Sequence, residues 1–295
     1  MAKSPAFSTR GPRPSPRFCV WYSPTVPSEF ASGPAPDDLP LPESAFGASA
    51  SILPPAATVI PVSSRPSHPL FDRVSALIEV LLCSGFPSQI ALTYLIALAG
   101  YPPQLSFGYV ATLLLLDAAA LIGFIFWLLY LHGEDPRAVF LGNRRIGREA
   151  LLGLPLVVIV FGLVFVVMSS LQRIAPWLRN VPENPLEQLL RSRRDAALFA
   201  VIAAIGGGLR EEIQRAFILH RFERHLGGAW VGLLAFSIVF GAGHVIQGWD
   251  AVITTATLGV FWGLVYLSRR SIVAPVVSHA GFNAAEILRY LILQT

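Results

Sequence analysis

The sequence predicts an all-α, polytopic membrane protein with about seven transmembrane helices. Hydrophobic residues make up 54% of the 295 and charged residues only 14%, where soluble domains carry about 25% charged residues. The mean hydropathy is +0.59. From residue 74 onward the chain is a succession of apolar stretches long enough to cross a bilayer, which takes about 20 residues of helix at a rise of about 1.5 Å each. No long segment between them has room for a soluble domain.

The first 70 residues stand apart, with "GPRPSPRF", "SGPAPDDLPLPES" and "SILPPAATVIPVSSRPSHP". They show no helical period, and their prolines are too frequent for a strand ladder. Residues 1–70 are expected to be a disordered Pro/Ser-rich tail, or else an extension ahead of a later true start. The basic residues Lys3, Arg10, Arg13 and Arg17 are followed by no apolar core of about 7 to 15 residues, so no signal peptide is expected.

Residues 71–295 form the helical membrane domain. Its spans are expected near 75–98, kinkable at Pro87, then 109–131, 150–170, 196–219, 229–247, 252–268 and 272–292. The third is the clearest, because Ala150 to Gln172 carries no charge. The fourth is the least clear, because "LREEIQR" interrupts it. Residues 173–195, with "NVPENPLEQLLRSRRD", read as a short interfacial amphipathic piece. Pro275 falls in the first turn of the seventh span, where its missing N–H has no helical partner.

Charge argues against nucleic acid as a partner and for the lipid bilayer. The pI is about 9.4, yet the basic residues, of which only Lys3 is a lysine, are scattered between apolar runs rather than gathered in a stripe with aromatics. They read as loop charges at membrane surfaces. Arg65, Arg73, Arg137, Arg144, Arg145, Arg148, Arg221, Arg224, Arg269 and Arg270 fall on one side; Arg173, Arg179, Arg191, Arg193 and Arg194 fall on the other. That excess puts the N-terminus on the cytoplasmic side, and the expected location is a bacterial-type inner membrane. Cys19 and Cys83 have no CxxC or Cys/His spacing that would hold zinc.

The chemistry is concentrated between residues 195 and 290. "GGGLREEIQRAF" sets Glu211 and Glu212 side by side within an apolar stretch. A charged side chain near the bilayer centre costs about 2.5 to 3.5 kcal/mol, so paired glutamates need partners or a wet cavity. Arg215 follows Glu211 at i+4 and Glu212 at i+3, so a helix stacks its guanidinium beside both. Charges pairing in the headgroup region would produce the same pattern. "SIVFGAGHVIQG" sets Phe240 and His244 on one face of the fifth span, and "IVAPVVSHAGFNAAEI" sets His279 and Asn283 on one face of the seventh. A single membrane histidine is ordinarily a helix-packing hydrogen bonder. Three spans that all carry buried polar groups are satisfied most simply by meeting, which predicts a site between the fourth, fifth and seventh helices.

A carboxylate, two imidazoles and a carboxamide are the parts needed to split a peptide bond with water. The chain has no GxSxG elbow, no HExxH motif and no plausible pair of intramembrane catalytic aspartates. Of the other polar residues, Asp117 reads as a helix-packing or cavity-facing group, and Glu79 as one that reaches the interface from the start of the first span. Glu286 and Arg289 read as an ion pair. Gly206 to Gly208 suggest close helix approach or local unwinding.

The order of a double-glutamate motif, FxxxH and HxxxN on successive spans resembles the CPBP intramembrane proteases, the group of CAAX prenyl proteases and bacteriocin-processing homologues. The resemblance implies that Glu211 activates water with His244 assisting, that His279 and Asn283 stabilise the oxyanion, and that Glu212 and Arg215 form a supporting shell. It implies an endopeptidase acting on a membrane-associated peptide or protein, with no cofactor expected. The family pattern is EExxxR, whereas here Ala216 occupies that position and Arg215 is rotated by about 100° around the helix. Members with immunity or partner-binding roles leave that function open. From the residues alone, a proton-coupled transporter and a metal or haem protein ligated by His244 and His279 also stay open.

Overall fold

The computed structural model describes residues 69–293, so the tail expected over 1–70 lies outside the described residues except for its last two positions, which open a helix. Among the described residues the chain is all helical. Helix α1 (Pro69–Leu82) and helix α2 (Phe86–Leu98) form a pair bent by 48°. The bend sits at Gly85, whose φ of 93° is in the left-handed region that glycine alone adopts at little cost. Pro87 is accommodated in the first turn of α2, so the kink precedes the proline.

Helix α3 (Phe107–Leu131) is capped by Ser106, whose hydroxyl accepts from the Tyr109 N–H. The short α4 (Pro136–Phe140) and the long α5 (Ile146–Ile174) follow. Residues 173–195 are not one amphipathic helix. They hold two short 3₁₀ turns, Pro176–Leu178 and Pro185–Leu189, because Pro176, Pro182 and Pro185 interrupt any longer hydrogen-bonded run.

Helix α6 (Arg193–Ala203) starts at Ser192, runs without a break into a π-helical segment (Ala204–Arg210), and continues as α7 (Glu211–His225). Then come α8 (Ala229–Ala242), α9 (Trp249–Arg269) and α10 (Val273–Leu293). Of these, α3, α5 and α9 are long and apolar enough to cross a membrane, and the bent α1–α2 pair brings the number to four. The seven expected spans are therefore not matched by length and apolarity alone. The stretch around α7 carries too many charges, and α8 has only 14 residues.

The most charged helix lies in the middle of the bundle. Helix α7 touches α1, α3, α4, α8 and α9. It buries Ile213, Phe217, Ile218 and Leu219, together with Glu212, Gln214, Arg215 and Arg221. Its apolar side chains join Leu121, Ile125 and Leu129 of α3, Leu233 of α8 and Trp262 of α9 in one core. Close approach between helices depends on small residues: a Cβ on Gly153 of α5 would fall 2.6 Å from Val277 of α10, and one on Gly241 of α8 would fall 2.7 Å from Ala256 of α9.

The lower half of α7 is neutralised by a charge network that revises two expectations. Glu79 does not reach an interface and Arg221 is not an exposed loop charge. Both are buried, and Arg221 Nε donates to Glu79 Oε2 at 2.6 Å. His132 stands 2.7 Å from the other Glu79 oxygen. Arg221 Nη1 also donates to both oxygens of Glu134 at 2.8 Å, and His220 and Arg224 complete that carboxylate's shell. Paired and hydrogen-bonded charges can be buried where single ones cannot.

Glu134 lies in the turn between α3 and α4. Burial by itself would raise its carboxyl, but the His220 hydrogen bond and the charge and hydrogen bonds of Arg221 outweigh burial and lower it to about 2 from the ordinary 4.5. A carboxylate depressed in the folded state stabilises the fold fully above its unfolded value, and that contribution is lost as pH falls through the folded value. Thermal midpoints of the purified protein in detergent are therefore expected to fall as pH drops from 4.5 towards about 2. Glu134→Gln should flatten that part of the curve; an unchanged slope in the variant would contradict the assignment.

Candidate active site

Glutamates 211 and 212 open α7 directly after the π-helical segment, and a helical step of about 100° sends their side chains in different directions. Glu212 is sealed inside. It forms an ion pair with Arg215, and both side chains are 1% exposed. The same oxygen, Oε1, lies 2.8 Å from His279 Nδ1. Glu211 is different: its side chain is 19% exposed and lines a cavity of about 500 Å³.

Arg215 therefore pairs with Glu212 at i+3, and not with Glu211 at i+4. Its guanidinium lies 4.7 Å from the Phe240 ring centre and 5.8 Å from those of Phe236 and Trp262. Arg215 Nε and Nη2 have no hydrogen-bond partner among the described residues. Aromatic faces offset part of that loss by attracting the cation.

His279 of α10 is held on three sides. Nδ1 faces Glu212, Nε2 lies 3.7 Å from Glu211 Oε2, and the indole of Trp262 stacks on the ring at 3.7 Å between centres and 15° between planes. Trp262 is itself fixed by donating from Nε1 to Ser278 Oγ at 3.2 Å. A carboxylate only accepts, so Nδ1 carries a proton; the form protonated on both nitrogens can also donate from Nε2.

His244 does not lie within α8. That helix ends at Ala242, and His244 follows in the turn that leads to the 3₁₀ residues Val245–Gln247. Gly241 and Gly243 weaken the helix here, and Gly248 with φ 111° reverses the chain into α9. The Phe240–His244 spacing still brings the pair together: His244 Nδ1 donates to the Phe240 carbonyl at 3.0 Å. A carbonyl only accepts, so in the neutral ring Nε2 is the free acceptor. The Phe240 ring meets both imidazoles edge-on, with centres 5.3 Å from His244 and 6.4 Å from His279.

Asn283, one helical turn after His279, also lines the cavity, and its Nδ2 approaches the Ala203 carbonyl at 3.5 Å. The six residues of the three motifs are thus near one another, with Glu211, His244, His279 and Asn283 on the cavity wall and Glu212 and Arg215 behind it. Asp117 does not line the cavity. It is 2.6 Å from Arg210 Nη2. Glu286 and Arg289 pair at 2.9 Å on the cavity rim.

Several contributors have no sequence motif. Trp262 is one apolar residue among many in α9. Asn184, Leu186 and Glu187, from the stretch expected to lie on the membrane surface, form part of the cavity wall. Among the described residues, no group of three or more His, Cys, Asp or Glu side chains is placed to hold a metal ion.

Residues 193–285 match a family model described as Type II CAAX prenyl endopeptidase Rce1-like. The Rce1-like match is consistent with the CPBP/CAAX protease family. It begins at the first residue of α6 and ends two residues after Asn283, so it contains every one of the six candidate site residues. No curated protein and no solved structure matches the chain. The Rce1-like match over residues 193–285 and the apolar helices support an integral membrane protein.

The glycines of the π-helical segment allow α10 to come close. A Cβ on Gly208 would lie 2.7 Å from Ala280 Cβ and 3.0 Å from its Cα, whereas one on Gly207 would meet mainly the amide end of Asn283. Backbone cannot retreat as a flexible side chain can. Gly208→Ala is expected to destabilise the protein by about 1 to 3 kcal/mol. Gly207→Ala should be close to neutral, since the gain of about 1 kcal/mol in helix propensity offsets moving Asn283. Thermal unfolding in detergent measures both; equal midpoints for the two variants would refute the packing argument.

Proposed function

We propose that this protein is a membrane-embedded endopeptidase in which Glu211 activates the water that attacks a peptide bond. The observation that carries the reading is the different state of the two glutamates. Glu212 is consumed by Arg215 and His279, while Glu211 keeps a carboxylate on the cavity wall beside His279 Nε2.

In this reading, Glu211 takes a proton from water as the oxygen adds to the substrate carbonyl. The free Nε2 of His244 accepts a hydrogen bond from the same water and orients it. The tetrahedral intermediate carries its negative charge on the former carbonyl oxygen. Asn283 Nδ2 is a donor that stabilises it, and the His279 ring adds a second from Nε2 whenever that nitrogen carries a proton. Collapse breaks the C–N bond, and Glu211 returns the proton to the departing amine, so no proton is gained or lost by the enzyme. Glu212 and Arg215 act behind these groups by holding the His279 ring in place.

The cavity wall is largely apolar, with Leu114, Val164, Leu258 and Phe282 among its lining residues. Such a wall suits a membrane-associated peptide or protein substrate. The Rce1-like match extends this to a chain with a prenylated C-terminal CAAX sequence. The remaining helices are proposed to complete a multi-pass membrane arrangement of about seven spans with a cytoplasmic N-terminus, in a bacterial-type inner membrane.

The test is cleavage of an internally quenched peptide carrying a farnesylated C-terminal CAAX sequence by the purified protein in nanodiscs. Glu211→Gln is expected to fold with the wild-type thermal midpoint and to lose at least about 100-fold in kcat, the lower range for a positioned general base. Cleavage by Glu211→Gln at the wild-type rate would overturn the mechanism. In cells, new protein termini present with the wild type and absent with Glu211→Gln would identify the natural substrate.

A further inference from the structure

We infer that the buried Asp117–Arg210 pair is a positioning device that fixes the π-helical segment and thereby aims Glu211 into the cavity. The inference rests on the endopeptidase reading for its catalytic consequence, and on packing alone for its structural one.

Arg210 is the last residue of the π-helical segment and immediately precedes Glu211. Its guanidinium reaches away from the cavity to a polar knot built from four elements. Nη2 lies 2.6 Å from Asp117 Oδ2 on α3, and both side chains are less than a tenth exposed. Nη1 donates to Gln214 Oε1 at 2.9 Å, and Gln214 Nε2 donates in turn to the Cys83 carbonyl at 2.6 Å, at the bend after α1. The other Asp117 oxygen accepts from Ser88 Oγ of α2 at 2.5 Å. The bend itself is shaped to admit the guanidinium: a Cβ on Gly85 would fall 2.7 Å from Arg210 Nη2.

A π-helical turn holds more residues than an α-helical one, so it rotates everything that follows it relative to what precedes it. At about 100° per residue, losing one residue of that register would swing Glu211 off the cavity wall. Seven residues of π-helix are not favoured by local propensity, and "AIGGGLR" contains three glycines that favour no particular helix. Two tertiary contacts therefore hold the segment. Gly207 and Gly208 pack on α10, and Arg210 is tied to α3 and to the α1–α2 bend. Of the knot residues only Arg210 and Gln214 lie within the matched family segment, and none of them lines the cavity.

The test uses Asp117→Asn, Arg210→Gln and the double variant Asp117→Asn/Arg210→Gln in nanodiscs. Two quantities are read: amide hydrogen exchange over residues 204–211, and kcat and KM on the farnesylated quenched peptide. A single substitution leaves an unpaired buried charge, so its instability alone could lower activity. The double variant carries no such charge and is the decisive protein.

The expected result is a double variant with a thermal midpoint near that of the wild type, raised exchange over 204–211, and kcat lower by about 100-fold, the penalty for displacement of about 1 Å. KM should change by less than about threefold, because binding is made elsewhere on the wall. A folded double variant with wild-type exchange and wild-type kcat would overturn the inference. If the wild type cleaves no peptide, the endopeptidase reading fails, and exchange over 204–211 decides the clamp: raised exchange in the folded double variant supports it and unchanged exchange overturns it.

Discussion

A carboxylate cannot remain charged inside an apolar helical bundle unless other groups take over the work of water. Glu212 meets that requirement through Arg215 and His279, and the rest of the candidate site follows from it. The Glu212–His279 contact fixes α7 against α10, because one partner lies on each helix. It also assigns one His279 nitrogen, so the other faces Glu211. The phenyl and indole rings around Arg215 close the guanidinium off from water. Removing one member of such a buried pair typically costs about 3 to 5 kcal/mol, which makes this cluster structural as well as chemical.

The same rule explains why the most charged helix is central. Along α7, charged or amide side chains recur at Glu212, Gln214, Arg215 and Arg221, and each has a partner on another helix or one turn away. Arg221 meets Glu79 and Glu134, and Arg210 just ahead of α7 meets Asp117. Apolar surfaces pack in many registers, but ion pairs within an apolar interior do not. The polar groups therefore specify which helices surround α7 and at what height, while the apolar residues between them fill the core.

Much of the site was legible in the sequence because its signals are local. The i, i+3 spacing of Glu212 and Arg215 and the i, i+4 spacings of Phe240/His244 and His279/Asn283 each describe one turn of chain. Close approach, one of the two readings of Gly206 to Gly208, is met at Gly207 and Gly208. What was misplaced involved partners distant in sequence. Glu79 and Arg221 look like interface charges one at a time and are recognisable as a buried pair only once α1 lies on α7. Asp117 is, as one of its two readings had it, a helix-packing group, but its partner Arg210 is 93 residues away and no local pattern names it. His244 is the exception, with a local cause: the flanking glycines end α8 two residues before it.

The sequence by itself determined that this chain is helical, apolar and membrane-embedded, and which residues are candidates for its chemistry, because hydropathy and helical spacing are properties of consecutive residues. It also sufficed for the family resemblance, which rests on the order of three short motifs. Only the tertiary structure decided which glutamate is sealed and which faces the cavity, that Trp262 covers His279, and that residues 184–187 join the cavity wall. These are relations between surfaces brought together by packing, and no pattern within a single helix encodes which surface will be opposite.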